Sequence, residues 1–205
     1  MAAHVVIPVK AFHAAKGRLA SVLGPAERAD LARSMAEAVI AAAAPLPVTV
    51  VCDDDAVRTW ALDRGVTVAW TPGLGLDGAV EEGVRSVEAA GAERVVVAHA
   101  DLPLARGLAA LAAPAGPGSR PGTVTLVPDR HGDGTNVVVL PRGCGFRFAY
   151  GPGSFVRHRA AAVRLGLSVR VVHDAHLGWD VDHPADLDLP SEAELARLAD
   201  CAGAP

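Results

Sequence analysis

Residues 94–101, Arg94-Val95-Val96-Val97-Ala98-His99-Ala100-Asp101, decide how this chain folds. Consecutive β-branched residues are typical of a strand that is buried on both faces, as in a parallel sheet covered by helices. A carboxylate, Asp101, follows the apolar run directly and opens the sequence Asp-Leu-Pro-Leu. The segment therefore predicts a central strand whose carboxyl end carries a charged group.

Apolar strand patterns alternate with helical patterns from the N-terminus for about half the chain, which favours a mostly parallel sheet. We predict an α/β fold, a three-layer α/β/α sandwich, in a single domain over residues 1–205. The predicted strands are 5–9, 48–52, 66–70, 94–98, 123–127, 136–140 and 169–172. The predicted helices are 25–43, 56–64, 79–90, 155–165 and 186–198.

Composition excludes several classes of function. The net charge is -4, so the chain lacks the basic surface expected for a long nucleic acid. No apolar run reaches the roughly 18 residues of a membrane span. The cysteines form no Cys-x-x-Cys pair, and the chain opens with Met-Ala-Ala-His and leads directly into a strand. We therefore expect free thiols, no signal peptide and a cytoplasmic protein without nucleic-acid or membrane partners.

The ends of the predicted strands gather polar residues. In sheets of this kind ligands bind at the carboxyl ends of the strands, so Lys10 and Asp101 should lie at one edge. Asp101 suits a ligand of Mg²⁺ against phosphates. Its alternative role is that of a turn-forming residue before Leu-Pro.

The loop after the first strand is basic. Lys10, Lys16 and Arg18 fall within nine residues and together suit the neutralisation of a triphosphate. The alternative is a solvated basic loop.

Two carboxylates, Asp180 and Asp182, occupy alternate positions near the C-terminus. In an extended segment such residues point the same way, so they suit a shared cation. Alternatively, Asp182 caps a helix that starts near Pro184.

Three glycine-containing segments complete the candidate set. Gly134-Thr135 precedes an apolar strand, and Gly151-Pro152-Gly153-Ser154 precedes a helix. Glycine permits close approach of a ligand, and hydroxyl groups donate to phosphate oxygens, although ordinary turns have the same composition. The segment 73–78 is a glycine-rich loop whose backbone amides suit contacts to a base or ribose.

Other reactive groups lack a supporting pattern. His99, His131 and His158 do not have the spacing of a structural zinc site, and no serine lies in a Gly-x-Ser-x-Gly turn. The sequence therefore shows no covalent nucleophile.

Taken in order, these motifs resemble the guanylyltransferases of coenzyme F-420 biosynthesis: the 2-phospho-L-lactate guanylyltransferases and the relatives that use phosphoenolpyruvate. The resemblance covers nearly the whole chain. It implies the GT-A-like nucleotidyltransferase fold and a reaction that joins GTP to a phosphorylated three-carbon acid and releases pyrophosphate. With phosphoenolpyruvate the product is enolpyruvoyl-2-diphospho-5'-guanosine.

The resemblance also implies roles for particular residues. The acid-binding positions fall on Thr135, Gly151 and Ser154, and the Mg²⁺ ligands on Asp101 and Asp182, with Asp180 as the competing position. Lys16 joins these aspartates as a catalytic residue. The nucleotide-binding residues are Lys10, Lys16, Arg18, Gly75 and Asp77, and relatives often have asparagine near Asp77.

Two other classes of function stay open at this point. A different nucleotidyltransferase, with a molybdopterin or a sugar phosphate as acceptor, would keep the first loop and Asp101. A non-catalytic nucleotide-binding module would bind GTP without acceptor-dependent turnover.

Overall fold

A computed structural model describes residues 2–113 and 122–202, with residues 199–202 described as helical backbone only. The strands are β1 (Ala3–Pro8), β2 (Val48–Cys52), β3 (Thr67–Trp70), β4 (Arg94–Ala98), β5 (Thr123–Pro128), β6 (Thr135–Pro141) and β7 (Ser168–Val171). The helices are α1 (Pro25–Ala42), α2 (Asp55–Asp63), α3 (Gly75–Ala89), α4 (Leu108–Ala112), α5 (Ser154–Arg164) and α6 (Glu192–Ala202). Short 3₁₀ turns cover Phe12–Ala14, Gly17–Leu19 and Pro184–Leu187.

One seven-stranded sheet runs through the molecule in the order β3-β2-β1-β4-β6-β5-β7. Every neighbouring pair is parallel except those of β6, which runs antiparallel to both β4 and β5. The predicted three-layer, mostly parallel α/β fold is confirmed. The carboxyl ends of β1, β2 and β4 and the amino end of β6 consequently meet at one edge of the sheet.

The reversal at β6 comes from a tight turn after β5. The Asp129 carboxylate accepts hydrogen bonds from the backbone amides of His131, Asp133 and Gly134, at 3.0, 3.0 and 2.7 Å. Asp side chains favour such turns because they replace backbone partners with their own oxygens. This turn returns the chain beside β5 and places Thr135 at the edge where β4 ends.

Apolar side chains cover both faces of the sheet. Val5 and Ile7 of β1 belong to the cluster that packs under α1, α2 and α4, whereas Val6 belongs to the cluster under α3 and α5. This alternation follows from the strand period of two residues. The central strands are therefore buried on both sides, and polar groups leave the sheet only at its edges.

Several predicted boundaries were wrong. Helix α3 begins at Gly75 rather than at residue 79, so residues 75–78 of the predicted glycine-rich loop 73–78 are helical. The predicted helix 186–198 is a 3₁₀ turn followed by α6, because Pro190 interrupts the segment. The short helix α4 was not predicted, since five residues carry too little periodicity.

Two further observations concern membrane-spanning segments and cysteines. Within residues 2–113 and 122–202, no helix combines the length and the apolar character of a membrane-spanning segment. Cys52 and Cys144 are free thiols, as expected, and the side chain of Cys201 lies outside the described part of the chain.

Gly83 of α3 packs directly against the sheet, with no room for a larger side chain. A Cβ added there would lie 2.4 Å from Val51 Cγ1 and 2.9 Å from Val6 Cγ1, well inside van der Waals contact. Overpacking a core costs about 1–3 kcal/mol, whereas alanine gains at most about 1 kcal/mol of helix propensity over glycine. We expect Gly83→Ala to lower the free energy of unfolding by about 1–2 kcal/mol in urea titrations.

The control is Gly78→Ala in the same helix, where the added methyl group meets only Leu74 Cβ, at 3.1 Å. We expect this variant to lose less stability than Gly83→Ala. A Gly83→Ala protein as stable as the wild type would show that α3 moves away from the sheet at little cost.

Candidate active site

A cavity of about 700 Å³ opens at the edge where β1, β2 and β4 end. The loop after β1 forms one wall, and the residues that follow β4 form the opposite wall. Lys10, Lys16, Arg18, Asp101 and Asp182 all line the cavity, together with Gly75 from the start of α3. Residues predicted from distant parts of the sequence to bind a nucleotide and a metal are thus brought to one place.

Lys16 is the centre of the charged cluster. Its Nζ lies 2.7 Å from Asp101 Oδ2 and 3.2 Å from Asp182 Oδ1, and only 8% of its side chain is exposed. Among residues 2–113 and 122–202, Lys16 is also the single non-glycine residue with a left-handed backbone, at φ 55°. Such conformations cost free energy and are concentrated at functional sites.

The electrostatics keep Lys16 and Asp101 ionised. Burial alone would lower the pKa of Lys16, but the carboxylates of Asp101 and Asp182 outweigh it and raise that pKa. Burial alone would raise the pKa of Asp101, but Lys16 and His99 outweigh it and lower that pKa. The site therefore holds an ammonium that is ion-paired with carboxylates before any ligand binds.

Asp180 and Asp182 have different surroundings. Asp182 binds Lys16 with Oδ1 and Arg18 Nη1 with Oδ2, the latter at 3.2 Å. The ion-pair partner of Asp180 is Arg130, whose Nη1 lies 3.9 Å from Asp180 Oδ1. Burial, and then the charge of Asp101, raise the pKa of Asp180. Asp101 and Asp180 are thus close enough for the charge of Asp101 to act on Asp180.

The segment that carries both aspartates is held by Arg130, which the sequence did not single out. Arg130 Nη1 donates to the Asp180 carbonyl at 2.9 Å, and Nη2 binds the Asp186 carboxylate. The Asp186 carboxylate in turn accepts from the amides of Asp182 and His183, at 2.8 and 2.6 Å. The alternative that Asp182 caps the following turn was wrong, since the backbone position before that turn is His183 and Asp186 supplies the carboxylate.

One atom in the cluster has no partner. Asp101 Oδ1 is buried and accepts no hydrogen bond from the protein. A buried carboxylate oxygen without a partner costs free energy unless something binds it. No group of three or more histidine, cysteine, aspartate or glutamate side chains within residues 2–113 and 122–202 suits a metal ion by itself.

The predicted base-contacting residues separate in the structure. Gly75 lines the cavity with a left-handed backbone, at φ 64°. Asp77 is not among the lining residues, and its Oδ1 accepts from the backbone amide of Tyr150 at 2.9 Å. Asp77 therefore joins α3 to the segment before α5.

The predicted acid-binding residues form a second cluster beside the cavity. Ser154 Oγ donates to Thr135 Oγ1 at 3.4 Å, and both residues are 2% exposed. Gly151 is exposed, with a left-handed backbone at φ 99°. None of the three lines the cavity itself. The cluster adjoins it through Tyr150, whose ring lies 4.6 Å from that of His99 in the cavity wall.

The backbone amides at the start of α5 already donate to other protein groups. The Gly153 amide donates to Asp133 Oδ2 at 3.0 Å, and the Phe155 amide donates to the Asp133 carbonyl at 3.0 Å. The Ser154 amide donates to the Gly151 carbonyl. The hydroxyl groups, rather than these amides, are the donors that this cluster can offer.

Comparison with known proteins gives a family match over most of the chain. The family described as "Guanylyl transferase CofC like" matches residues 3–189. A phosphoenolpyruvate guanylyltransferase of Rubrobacter xylanophilus is 38% identical over 192 residues, which cover 91% of this chain and 92% of the relative. A 2-phospho-L-lactate guanylyltransferase of Natrialba magadii is 36% identical over 203 residues, covering 90% of this chain and 81% of the relative.

Solved structures agree with the fold. A nucleotidyl transferase from Methanothermobacter thermautotrophicus superposes with a TM-score of 0.60 at 15% sequence identity, over 98% of this chain and 99% of that one. Likeness at this level of identity concerns the fold, and it supports the predicted nucleotidyltransferase architecture.

Replacing Lys16 should reverse the pH dependence of stability that Asp101 confers. In the wild type the pKa of Asp101 is lower in the folded state than in the unfolded state, where it is about 3.9. The ionised Asp101 therefore stabilises the folded protein above about pH 3.9, and this stabilisation is lost as the pH falls through the lower pKa of the folded state. In Lys16→Met burial dominates and raises the pKa of Asp101, so the folded state binds a proton more readily than the unfolded state. We expect this variant to be less stable than wild type at pH 7 and to recover part of the loss at pH 5.

Urea titrations at both pH values provide the measurement. Arg18→Met is the control, because Arg18 contacts the half-exposed Asp182 and not Asp101. Equal stability deficits at pH 7 and pH 5 for Lys16→Met would show that Lys16 does not set the charge state of Asp101.

Proposed function

The chain belongs to the CofC-like guanylyl transferase family, and on that basis we propose that it transfers the guanylyl group of GTP to phosphoenolpyruvate. 2-Phospho-L-lactate is the alternative acceptor, because family members of both names match this chain. The product with phosphoenolpyruvate is enolpyruvoyl-2-diphospho-5'-guanosine, an intermediate for coenzyme F-420. Both substrates are small metabolites, and we expect the reaction to take place in the cytoplasm.

One observation in the structure carries the proposal. Lys16, Arg18, Asp101 and Asp182 converge on the cavity at the carboxyl ends of β1 and β4. Nucleotidyl transfer depends on positioning and on the neutralisation of phosphate charge, and it needs no covalent intermediate. A buried ammonium beside carboxylates suits this chemistry. Cys52 also lines the cavity, but burial raises the pKa of its thiol, which disfavours the nucleophilic thiolate.

The reaction exchanges one bond to phosphorus for another. An oxygen of the acid's phosphate attacks the α-phosphorus of GTP and forms a new P–O bond. The bond between the α-phosphorus and the bridging oxygen to the β-phosphate breaks, and pyrophosphate leaves with those electrons. Charge accumulates on the phosphate oxygens, so fixed cations lower the barrier.

The cationic side chains take the triphosphate. Lys16 is held in place before substrate arrives, because its two carboxylate partners fix its Nζ. Arg18 and Lys10 are more exposed and lie at the mouth of the same cavity. We assign Lys16 to the α-phosphate region, where charge develops, and the other two to the phosphates that leave.

The residues of the site fit Mg²⁺. Asp101 offers the buried Oδ1 that has no protein partner, and Asp180 or Asp182 offers a second carboxylate. Carboxylate oxygens are the ligands that Mg²⁺ takes from proteins at phosphate sites. Bound there, the ion supplies positive charge against the phosphate oxygens. Lys16 would add the positive charge of its ammonium beside the ion.

The acid belongs beside the hydroxyl pair of Thr135 and Ser154. The two residues lie under the exposed turn at Gly151, where the left-handed backbone favours glycine. Their hydroxyl groups suit the carboxylate or phosphate of a small acid, and no group there reads a base. Asp77 supports this region indirectly, through the Tyr150 amide.

The test is an incubation of the protein with GTP and Mg²⁺ and either phosphoenolpyruvate, 2-phospho-L-lactate, a sugar phosphate or molybdopterin. The product is identified by mass and pyrophosphate release is measured. Turnover only with the sugar phosphate or with molybdopterin would assign another nucleotidyltransferase reaction. GTP binding by calorimetry without turnover on any acceptor would leave a nucleotide-binding module.

Matched variants separate the two candidate metal carboxylates. We expect Asp101→Asn to lower turnover by orders of magnitude, because it removes the charge that holds a hard cation. Asp180→Asn should raise the Mg²⁺ concentration needed for half-maximal turnover, since Asp180 lies near Asp101 and has Arg130 rather than Lys16 as its ion-pair partner. Asp182→Asn should mainly raise the KM for GTP, since it frees Lys16 and Arg18.

Titrations of Mg²⁺ at saturating GTP and acid, and of GTP at saturating Mg²⁺, give both quantities for each variant. If Asp182→Asn shifted the Mg²⁺ requirement and Asp180→Asn did not, Asp182 would be the second ligand. Turnover by Asp101→Asn close to that of the wild type would exclude Asp101 from the metal site.

A further inference from the structure

His158 is completely buried in the middle of α5 and lies behind the hydroxyl pair. Its Nε2 accepts a hydrogen bond from the backbone amide of Ala149 at 2.9 Å. Its Nδ1 lies 3.0 Å from Thr135 Oγ1. Both ring nitrogens therefore have a hydrogen-bond partner. The partner of Nε2 determines whether Nδ1 donates or accepts.

The Ala149 amide decides the tautomer. An amide can only donate, so Nε2 carries the lone pair and the proton of the neutral ring is on Nδ1. Burial lowers the pKa of His158 to about 4, so the ring is neutral near pH 7. Nδ1–H consequently donates to Thr135 Oγ1.

Because His158 Nδ1–H donates to Thr135 Oγ1, one hydroxyl proton of the Thr135–Ser154 pair stays available for a ligand. Thr135 and Ser154 have one O–H each, and the contact between them uses one of the two protons. Because His158 donates to the pair instead of accepting from it, the second proton has no acceptor within the Thr135–Ser154–His158 cluster. The opposite tautomer would consume that proton, and the pair would have nothing to donate to a ligand.

We propose that His158 is a positioning residue that turns the Thr135–Ser154 pair into a hydrogen-bond donor toward the anionic group of the acceptor acid. The inference rests on the proposed function, which places the acid at this pair. His158 acts through Thr135 and does not touch the substrate. The Tyr150 ring, 5.0 Å from the His158 ring, separates it from the cavity wall at His99.

Two substitutions of His158 each remove one of its two hydrogen bonds, to the Ala149 amide or to Thr135 Oγ1, and keep the other. His158→Gln places an amide oxygen near Nε2, so it keeps the acceptor for Ala149 and loses the donor to Thr135. His158→Asn places an amide nitrogen near Nδ1, so it keeps the donor and loses the acceptor. Both lose the same ring packing against Phe146, Phe148 and Tyr150.

We expect His158→Gln to raise the KM for the acid roughly 10- to 100-fold, the usual effect of losing a hydrogen bond to a charged group. The KM for GTP should stay near that of the wild type, and His158→Asn should restore most of the affinity for the acid. Thr135→Val should raise the acid's KM as well. The double variant Thr135→Val/His158→Gln should be no worse than Thr135→Val alone, because the histidine acts through that hydroxyl.

The chain offers a matched control at the opposite edge of the sheet. His4 and Thr49 form a second histidine–threonine pair, which is partly buried and lies at the start of β1 and β2. His4 Nε2 is 2.8 Å from Thr49 Oγ1. His4→Asn should leave both KM values unchanged. A general loss of stability from breaking such a pair would appear in this variant too.

The outcomes distinguish this inference from the proposed function. Equal effects of His158→Gln and His158→Asn, a parallel rise in both KM values, or additive effects with Thr135→Val would overturn the positioning role while leaving the reaction intact. Absence of turnover with either acid in the wild type and in His4→Asn would overturn the proposed function and the inference together.

The tautomer of His158 can also be measured in the wild-type protein, so this test does not depend on whether the variants fold. Nitrogen-15 NMR of the imidazole ring in the wild-type protein should show the proton on Nδ1 of His158. Addition of phosphoenolpyruvate should shift this signal, and addition of GTP alone should leave it in place. A proton on Nε2 would overturn the proposal.

Discussion

The central strands of the sheet are covered by helices on both faces, and this burial determines where charged groups can lie. Apolar side chains fill both sides of β1 and β4 over most of their length, and the polar residues His4 and Arg94 lie near the amino ends of these strands. At the other end of these strands, the first positions that tolerate charge are the residues just beyond the carboxyl ends. Lys16 and Asp101 come from two different loops of this kind, and the geometry of neighbouring parallel strands brings them within 2.7 Å.

The charged cluster combines stability and reactivity in the same contacts. Lys16 offsets the burial of Asp101, and the two carboxylates hold Lys16 in a strained backbone conformation. A pair of this kind adds little net stability, because desolvation offsets most of the attraction. It nevertheless fixes an ammonium and a carboxylate before substrate binds, which removes reorganisation from the reaction itself.

The sequence predicted the fold and most of the strands, because valine-rich runs separated by helical patterns carry a strong local signal. It also predicted that Lys10 and Asp101 would share an edge, since both follow parallel strands, and the family resemblance added Lys16 and Asp182 to this group. Other features depend on tertiary contacts that no local pattern encodes. The antiparallel β6 follows from the Asp129 turn, and the role of Arg130 appears only when it contacts Asp186. His158 was considered only as a metal ligand, and its pairing with Thr135 across 23 positions has no short-range signature.

The hydrogen bond from the Tyr150 amide to Asp77 ties together the two halves of the site. Asp77 lies in the first turn of α3, two residues after Gly75 in the cavity wall, and Tyr150 directly precedes the turn that leads to Ser154. A displacement of this helical turn would therefore be transmitted to the turn before α5. Any coupling between ligands at these two segments would be reciprocal, so that each ligand would change the affinity for the other by the same factor.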